Sequence, residues 1–346
     1  MTRVWFAAAS LAVLPIQQQQ PPRYAETIDV ASVLVDVRVL DDKGSPILGL
    51  DASDFLVSLG GKAVRVQSCA WIGDAVSPAV RELVPTATAS SAPVAAPGRL
   101  VVFLVQKNLA RGYGTGLIRM LDQSRAVVRS LAADDRVAVL SFDTSLKIWT
   151  DFTNDIALID HLLERGVLHE EPPPVRGPQA PSLAGRLDSQ TARRAYTIER
   201  AFELIARALQ PLPGAKTIAF ISHGMGRLGR RSSTDGDASV APGYENARAA
   251  LSDARASVFS LDFTPADVHS LAFGLQRIAA ETGGFYAQSL DFPERPMRWL
   301  SGALSGYYVL FVDKPDVPPA KRDISVVLTR RQGTAFASAS YTTSQR

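Results

Sequence analysis

The chain has 346 residues but only one cysteine, Cys69, and four histidines. A single thiol closes no internal disulfide, so a core has to stand on packing alone, and 46% hydrophobic residues supply enough material for that. The histidines, at 161, 169, 223 and 269, show no H-E-x-x-H or other zinc spacing. Formal charge is low, +3, and spread along the chain. Its densest basic patch, Arg227 to Arg231, lies in a Ser/Gly-rich stretch without interleaved aromatics. It reads as solvated surface, and nucleic acid is not expected as a partner. No apolar run is long enough to cross a bilayer as a helix. Val4 to Ile16 follows Arg3 and precedes four glutamines, the pattern of a secretory signal over residues 1–20, with an uncleaved anchor as the alternative. A secreted or periplasmic protein is therefore expected. Lipidation is excluded because no cysteine stands near that segment, and Cys69, within an apolar strand, is expected to be a small core residue.

What is present is hydrophobic patterning of two kinds. Over residues 28–76 apolar residues alternate with polar ones: Val33, Val35, Val37 and Val39 share one face and Asp36 and Arg38 the other, the period of a half-buried strand. Asp41 to Pro46 supplies turn chemistry, and Gly60-Gly61 joins two short strands as a hairpin. Residues 77–98 lose all periodicity, turn rich in Ala, Pro, Ser and Thr, and read as a linker.

From 99 to 305 apolar strands alternate with amphipathic helices. The strand Leu100–Val105 breaks off at Gln106, Lys107 and Asn108; Arg136–Phe142 is the next strand, and Leu146–Phe152 folds back as an antiparallel edge. Asn154 caps a helix with Ile156, Ile159, Leu162 and Leu163 inward, and Thr191–Leu209 is one long amphipathic helix. This predicts an α/β fold, a doubly wound and mainly parallel sheet covered on both faces. Residues 306–343 revert to alternating strands, and since short terminal strands make no stable sheet alone, they are expected to join the strands of 28–76 in a small β-sandwich.

The order of elements, with "DDRVAVLSFD" and "FISHG", resembles the von Willebrand factor A domain. The lead-in, with Asp42, Gly44, Leu50, Asp54 and Phe55 in place, resembles the β-rich segment of related proteins of the acidobacterial type. The resemblance implies a divalent cation at the top of the sheet, held by a first strand ending D-x-S-x-S, a threonine from a later loop and an aspartate after the fourth strand. Those places read Gln106, Asn108, Ala110 and His223 here. A magnesium ion takes hard oxygen ligands and a carboxylate to balance its charge; amides neutralise nothing and imidazole is a soft donor. No metal and no cofactor is expected. Gln106 and Asn108 are expected instead to hydrogen-bond neighbouring loops and a partner.

Other constellations weigh less. Gly224 to Gly229 matches G-x-G-x-x-G, but a loop follows where a dinucleotide turn opens a helix. "GYGTG" before the first helix lacks the Walker lysine and reads as a turn that lets this helix pack on the first strand. Ser222 and His223 are adjacent, so on a strand they face opposite ways, and no G-x-S-x-G elbow occurs. Asp143 reads as a turn residue, and Asp262 leads into a stretch where Thr264 or Asp267 caps the next helix. The reading is a non-enzymatic protein-interaction module. It binds a protein partner through Gln106, Asn108, Asp143, Ser222 and His223 at the upper edge of the sheet, with the insertions 171–188 and 225–243 flanking that end. The alternatives are cation-dependent adhesion through Asp143 or Asp262, and a hydrolase or nucleotide-binding enzyme using His223.

Overall fold

The apolar run that follows Gly98 becomes the strand around which the molecule is wound. The computed structural model describes residues 32–73, 98–110, 112–174, 181–228, 238–265, 271–314, 323–329 and 332–338. Expectations for 1–20, for 77–97 and for Asp267 and His269 lie outside them. Strand β5 (Leu100–Gln106) sits in a six-stranded sheet with β6 (Arg136–Phe142), β7 (Leu146–Thr153), β8 (Lys216–Ser222), β11 (Ala256–Asp262) and β12 (Tyr286–Gln288), in the order β12-β11-β8-β5-β6-β7. All pairings are parallel except β6 with β7, the antiparallel edge.

Both faces of this sheet are covered, so its strands read as unbroken apolar runs. One face packs under α1 (Gly114–Arg129), α2 (Ile156–His161), a π-helical turn (Leu162–Gly166), α3 (Val167–His169) and α8 (Glu294–Ser305). The other packs under α4 (Ser189–Arg193), α5 (Ile198–Leu209), α6 (Tyr244–Asp253) and α7 (Ala272–Glu281). The fold class is the expected one.

The two ends of the chain meet in a sandwich. Strands β1 (Ser32–Leu40), β4 (Val66–Gly73), β13 (Gly306–Asp313) and β15 (Thr334–Ala337) form one sheet in the order β15-β1-β13-β4; β2 (Phe55–Leu59), β3 (Lys62–Val64) and β14 (Ile324–Leu328) form the second. Val33, Val35, Val37 and Val39 bury against Phe55, Val57, Tyr308 and Leu310 between them. Gly60 and Gly61 take φ 58° and 80°, the two positive angles that a two-residue hairpin turn needs. Cys69 is half-buried on β4, and burial, aided by Asp51 and Asp54, pushes its thiol up to about 12.

Several sequence expectations need correction. The second face of β1 is not a solvent face: Arg38 is buried, donating to Ala303 O at 3.2 Å, Ser257 Oγ at 2.8 Å and Thr217 Oγ1 at 3.1 Å, because the α/β layer closes over it. The segment 191–209 is two helices, since Thr197 leaves the helical conformation and accepts from Arg200 N at 3.2 Å as a cap for α5. Asp155, not Asn154, caps α2 through Leu158 N at 3.0 Å; Asn154 instead donates to Ala133 O, and Ile156 is exposed. The described part of 171–188 lies along β7, where Ser182 Oγ, Leu183 N and Ala184 N donate to the Asp151 carboxylate at 2.5, 2.7 and 3.1 Å. Its start, Pro172–Pro174, stays beside Leu146–Ile148 at the upper end, while 182–184 lie lower along β7; the second insertion opens a two-residue ribbon, β9 (Arg227–Leu228) with β10 (Ala238–Ser239).

Candidate functional site

Because β5 feeds β6 on one side while β8 returns on the other, the loops after β5 and β8 part company. That point is where an open α/β sheet ordinarily receives a ligand. Its floor is made of an amide and an aromatic ring. The Gln106 amide oxygen accepts from His223 N at 3.2 Å, tying the end of β8 to the end of β5. The His223 ring then lies between two others, 5.4 Å from Tyr113 and 5.8 Å from Phe263, centroid to centroid. These residues come from three separate strand ends. The space between the diverging loops is occupied by the chain's own rings.

Gly116 makes this closure possible. A Cβ there would stand 2.5 Å from Phe263 O and 2.6 Å from Leu290 Cδ1, so α1 starts in backbone contact with the loop beyond β11. The glycine-rich turn does serve packing: α1 buries Leu117, Met120 and Leu121 in one core with Val101, Phe103 and Val105 of β5, and its start also meets that loop.

The remaining predicted residues are occupied locally. Asn108 Oδ1 accepts from Ala110 N at 2.9 Å, closing its own turn. Asp143 accepts from Thr144 N and from Lys147 Nζ, both at 2.5 Å; burial opposes its ionisation, but the ammonium and the amides outweigh it and hold the carboxyl below its ordinary range. Ser222 is fully buried and its hydroxyl has no hydrogen-bond partner, so it does not serve His223. Asp262 is also fully buried: Thr264 N and Oγ1 donate to Oδ1 at 2.9 and 2.7 Å, and Tyr286 Oη donates to Oδ2 at 2.8 Å. Burial and the neighbouring carboxylate raise the Tyr286 hydroxyl, which keeps it a donor. Thr264 therefore closes a turn on Asp262 and caps no helix; α7 begins without a side-chain cap.

The donor set does not fit a divalent cation. Gln106 and Asn108 are engaged with backbone amides, and the Asp262 oxygens already accept three bonds. Among the described residues no three of His, Cys, Asp and Glu converge as metal ligands. Nor does a helix open within the described part of the glycine motif, residues 224–228, as a dinucleotide turn requires.

The α/β unit has a von Willebrand factor A-like fold. Its element order, its antiparallel edge and its helices on both faces are those expected from the sequence. No protein-family model matches the chain, and no curated protein matches it. Among solved structures, a von Willebrand factor type A protein from Catenulispora acidiphila aligns over 90% of this chain and 75% of its own, at 8% identity and TM-score 0.43. The conserved hypothetical protein BatB from Bacteroides thetaiotaomicron aligns over 60% of this chain and 98% of its own, at 16% identity and TM-score 0.40. Proximal thread matrix protein 1 from the mussel byssus aligns over 60% and 48%, at 12% identity and TM-score 0.38.

Sequence reasoning missed Tyr113 and Phe263, the rings that hold His223. Neither carries a motif, and their meeting depends on three strand ends that the fold alone brings together. The Asp262–Thr264 contact did have a local signal, an aspartate two residues before a threonine. Among the described residues no helix is long and apolar enough to cross a membrane.

Proposed function

We propose that this chain is a non-enzymatic, metal-independent protein-binding module of the adhesion type, working in the secreted or periplasmic compartment and meeting its partner through the loops at the upper end of the sheet. The observation that carries the reading is the filled crevice with an apolar rim. Tyr113, His223 and Phe263 close the position where a small ligand would enter, while Leu109, Phe273 and Phe292 on the surrounding segments stay 49%, 45% and 77% exposed. Loops on a rigid scaffold commonly carry recognition, and apolar side chains left in water on such loops suit a protein surface. The apolar stretch Val4–Ile16 behind Arg3 supports export.

The test is retention of a partner from the native envelope fraction by the immobilised protein, against Leu109→Asp and Phe292→Asp variants of unchanged melting temperature. Loss of a specific partner in both variants is the expected result; equal retention by all three would place recognition elsewhere. Fractionation with mass measurement of the mature N-terminus reads the compartment.

A second reading, cation-dependent adhesion, has one observation in its favour: the Ser222 and Ser260 hydroxyls are buried without partners on the strands that carry and neighbour Asp262. Calorimetric titration with magnesium and manganese separates the two. Saturable heat that disappears in Asp262→Asn would replace the first reading with the second; a flat titration supports the first.

A further inference from the structure

The six-stranded sheet has two outer strands, and the molecule treats them differently. Along β7 the edge is occupied: Ser182, Leu183 and Ala184 are fastened to Asp151, and Lys147 adds charge. Along β12, among the described residues, it is open. This strand, Tyr286-Ala287-Gln288, pairs with β11 alone and carries no charge, proline or bulge, although it is short and β15 meets the segment before it through the Thr282–Ser338 bridge and Phe336 against Phe285. In its ladder Ser260 N donates to Phe285 O at 2.9 Å and Ser289 N to Asp262 O at 2.8 Å. Odd-numbered residues therefore turn their backbone groups to β11, and the N–H and C=O of Tyr286 and Gln288 point to the open side.

Beside this edge runs a groove of about 250 Å³ between β12 and α8, lined by Phe285, Ala287, Pro296 and Trp299 with Gln288 and Arg295 at its polar margin. The Trp299 indole N–H is buried and has no acceptor among the described residues. Arg295 is exposed and has no ion-pair or hydrogen-bond partner among the described residues.

We propose that β12 takes up an extended peptide segment of a partner protein as an added strand, with an apolar side chain of that segment in the groove and an acidic one against Arg295. Main-chain hydrogen bonds supply affinity in this mode, and alternate side chains supply selectivity. The unpaired guanidinium argues for a carboxylate-bearing peptide over a second copy of this chain, which would bring the same uncharged strand and another Arg295. The site adjoins the loop surface proposed above, Phe292 lying between Gln288 and Arg295 in the chain, but does not depend on it.

The experiment is selection of a random twelve-residue peptide display library on the intact protein, followed by anisotropy titration of the selected peptides carrying fluorescein. Selected sequences are expected to alternate apolar residues and to include Asp or Glu. Their affinity is expected to fall at least tenfold in Gln288→Pro and severalfold in Arg295→Glu. Gln288→Pro removes an N–H that faces the open side, which an edge strand tolerates, together with the bonds from Nε2 to Thr264 O and Pro265 O at 3.3 and 3.5 Å, so a small fall in melting temperature with retained folding is expected. Should it unfold, Ala287→Trp, which fills the groove, serves in its place. No enriched sequence, binding indifferent to these substitutions, or a concentration-dependent dimer seen by light scattering and lost in Gln288→Pro would overturn the proposal. Binding lost in Leu109→Asp but not in Gln288→Pro would overturn it while leaving the loop surface standing.

Discussion

The two ends of the central sheet are built from opposite materials. At the upper end, amide, imidazole and phenyl groups pack together, and the fully buried Asp262 accepts from Thr264 and Tyr286. At the lower end, where the sandwich seats on the α/β layer, charges are buried. Arg38 threads between Phe259 and Tyr307, 5.3 and 5.5 Å from their centroids, and reaches the carbonyl of Ala303. Arg99 binds Asp135 and the carbonyl of Leu304, and Arg255 binds Asp36 through two bonds of 2.9 and 2.7 Å. Two of these arginines thus meet the last carbonyls of α8, where a cation suits the helix dipole. Arg38 and the Arg255–Asp36 pair join the two layers at the lower end, and the crevice between β5 and β8 is closed by an amide bond and ring contacts.

If that contrast is right, the largest effect belongs to Arg38. Arg38→Ala leaves Ala303 O, Ser257 Oγ and Thr217 Oγ1 unpaired in a buried seam and opens a cavity between two rings, at a cost of about 3–5 kcal/mol. Urea unfolding reads it directly. A loss under about 1 kcal/mol would mean that the seam is wet and the contrast false.

Lys216, 2% exposed at the start of β8, sharpens the comparison with an effect of opposite sign. Burial lowers its ammonium from 10.5 to about 8, Arg255 acts the same way, and Asp36 opposes both. The unfolded chain then binds this proton more tightly than the folded chain does, so this group makes stability rise as pH climbs from about 8 to 10.5. Below about pH 8 both states carry the proton, and the folded state bears a penalty of about 3 kcal/mol. Lys216→Met is therefore expected to stabilise the protein at pH 7 by an amount of that order and to flatten its stability profile between those pH values. Equal slopes for the two proteins in urea titrations at pH 7, 9 and 10 would refute it.

The legible part of this molecule was what repeats. Alternating valines announced β1, unbroken apolar runs announced the covered sheet, and the Gly-Gly pair announced its hairpin. The face of β1 that carries Asp36 and Arg38 looked like solvent because alternation records only that the two faces differ, and says nothing of what later covers the polar one. Thr197 broke a helix whose apolar period runs through it, since a hydroxyl cap competes with helix continuation at a position the period cannot mark. At the crevice, the amide and imidazole at Gln106 and His223 were legible from the sequence. How the crevice is filled was not, because the rings of Tyr113 and Phe263 approach His223 only after three strand ends are brought side by side.

The upper end predicts smaller effects, each without charge. Gln106→Ala removes one half-buried bond to His223 N and is expected to cost about 1 kcal/mol; His223→Ala removes two ring contacts and costs about 1–2 kcal/mol. The double variant should fall short of their sum, because the amide bond and the ring contacts hold the same residue. Chemical denaturation of the three variants measures the coupling. Strict additivity would show that Gln106 does not position the ring.

The smallest effect isolates strain from charge at the seam. Arg255 follows α6 with φ 51°, the one non-glycine residue with positive φ among those described, at a place where helices commonly end on glycine. The backbone cost of that angle is roughly 1 kcal/mol, and the half-exposed ion pair with Asp36 offsets it by roughly 0.2–1 kcal/mol. Arg255→Gly loses the pair and the strain together, so its stability is expected to stay within about 1 kcal/mol of wild type. Arg255→Ala loses the pair and keeps the strain, and should be the less stable of the two by about 1 kcal/mol. Melting curves of both variants at low and high salt decide the matter: only the wild-type protein should lose stability as salt screens the pair, and a difference between Gly and Ala that vanishes would show that the angle carries no strain.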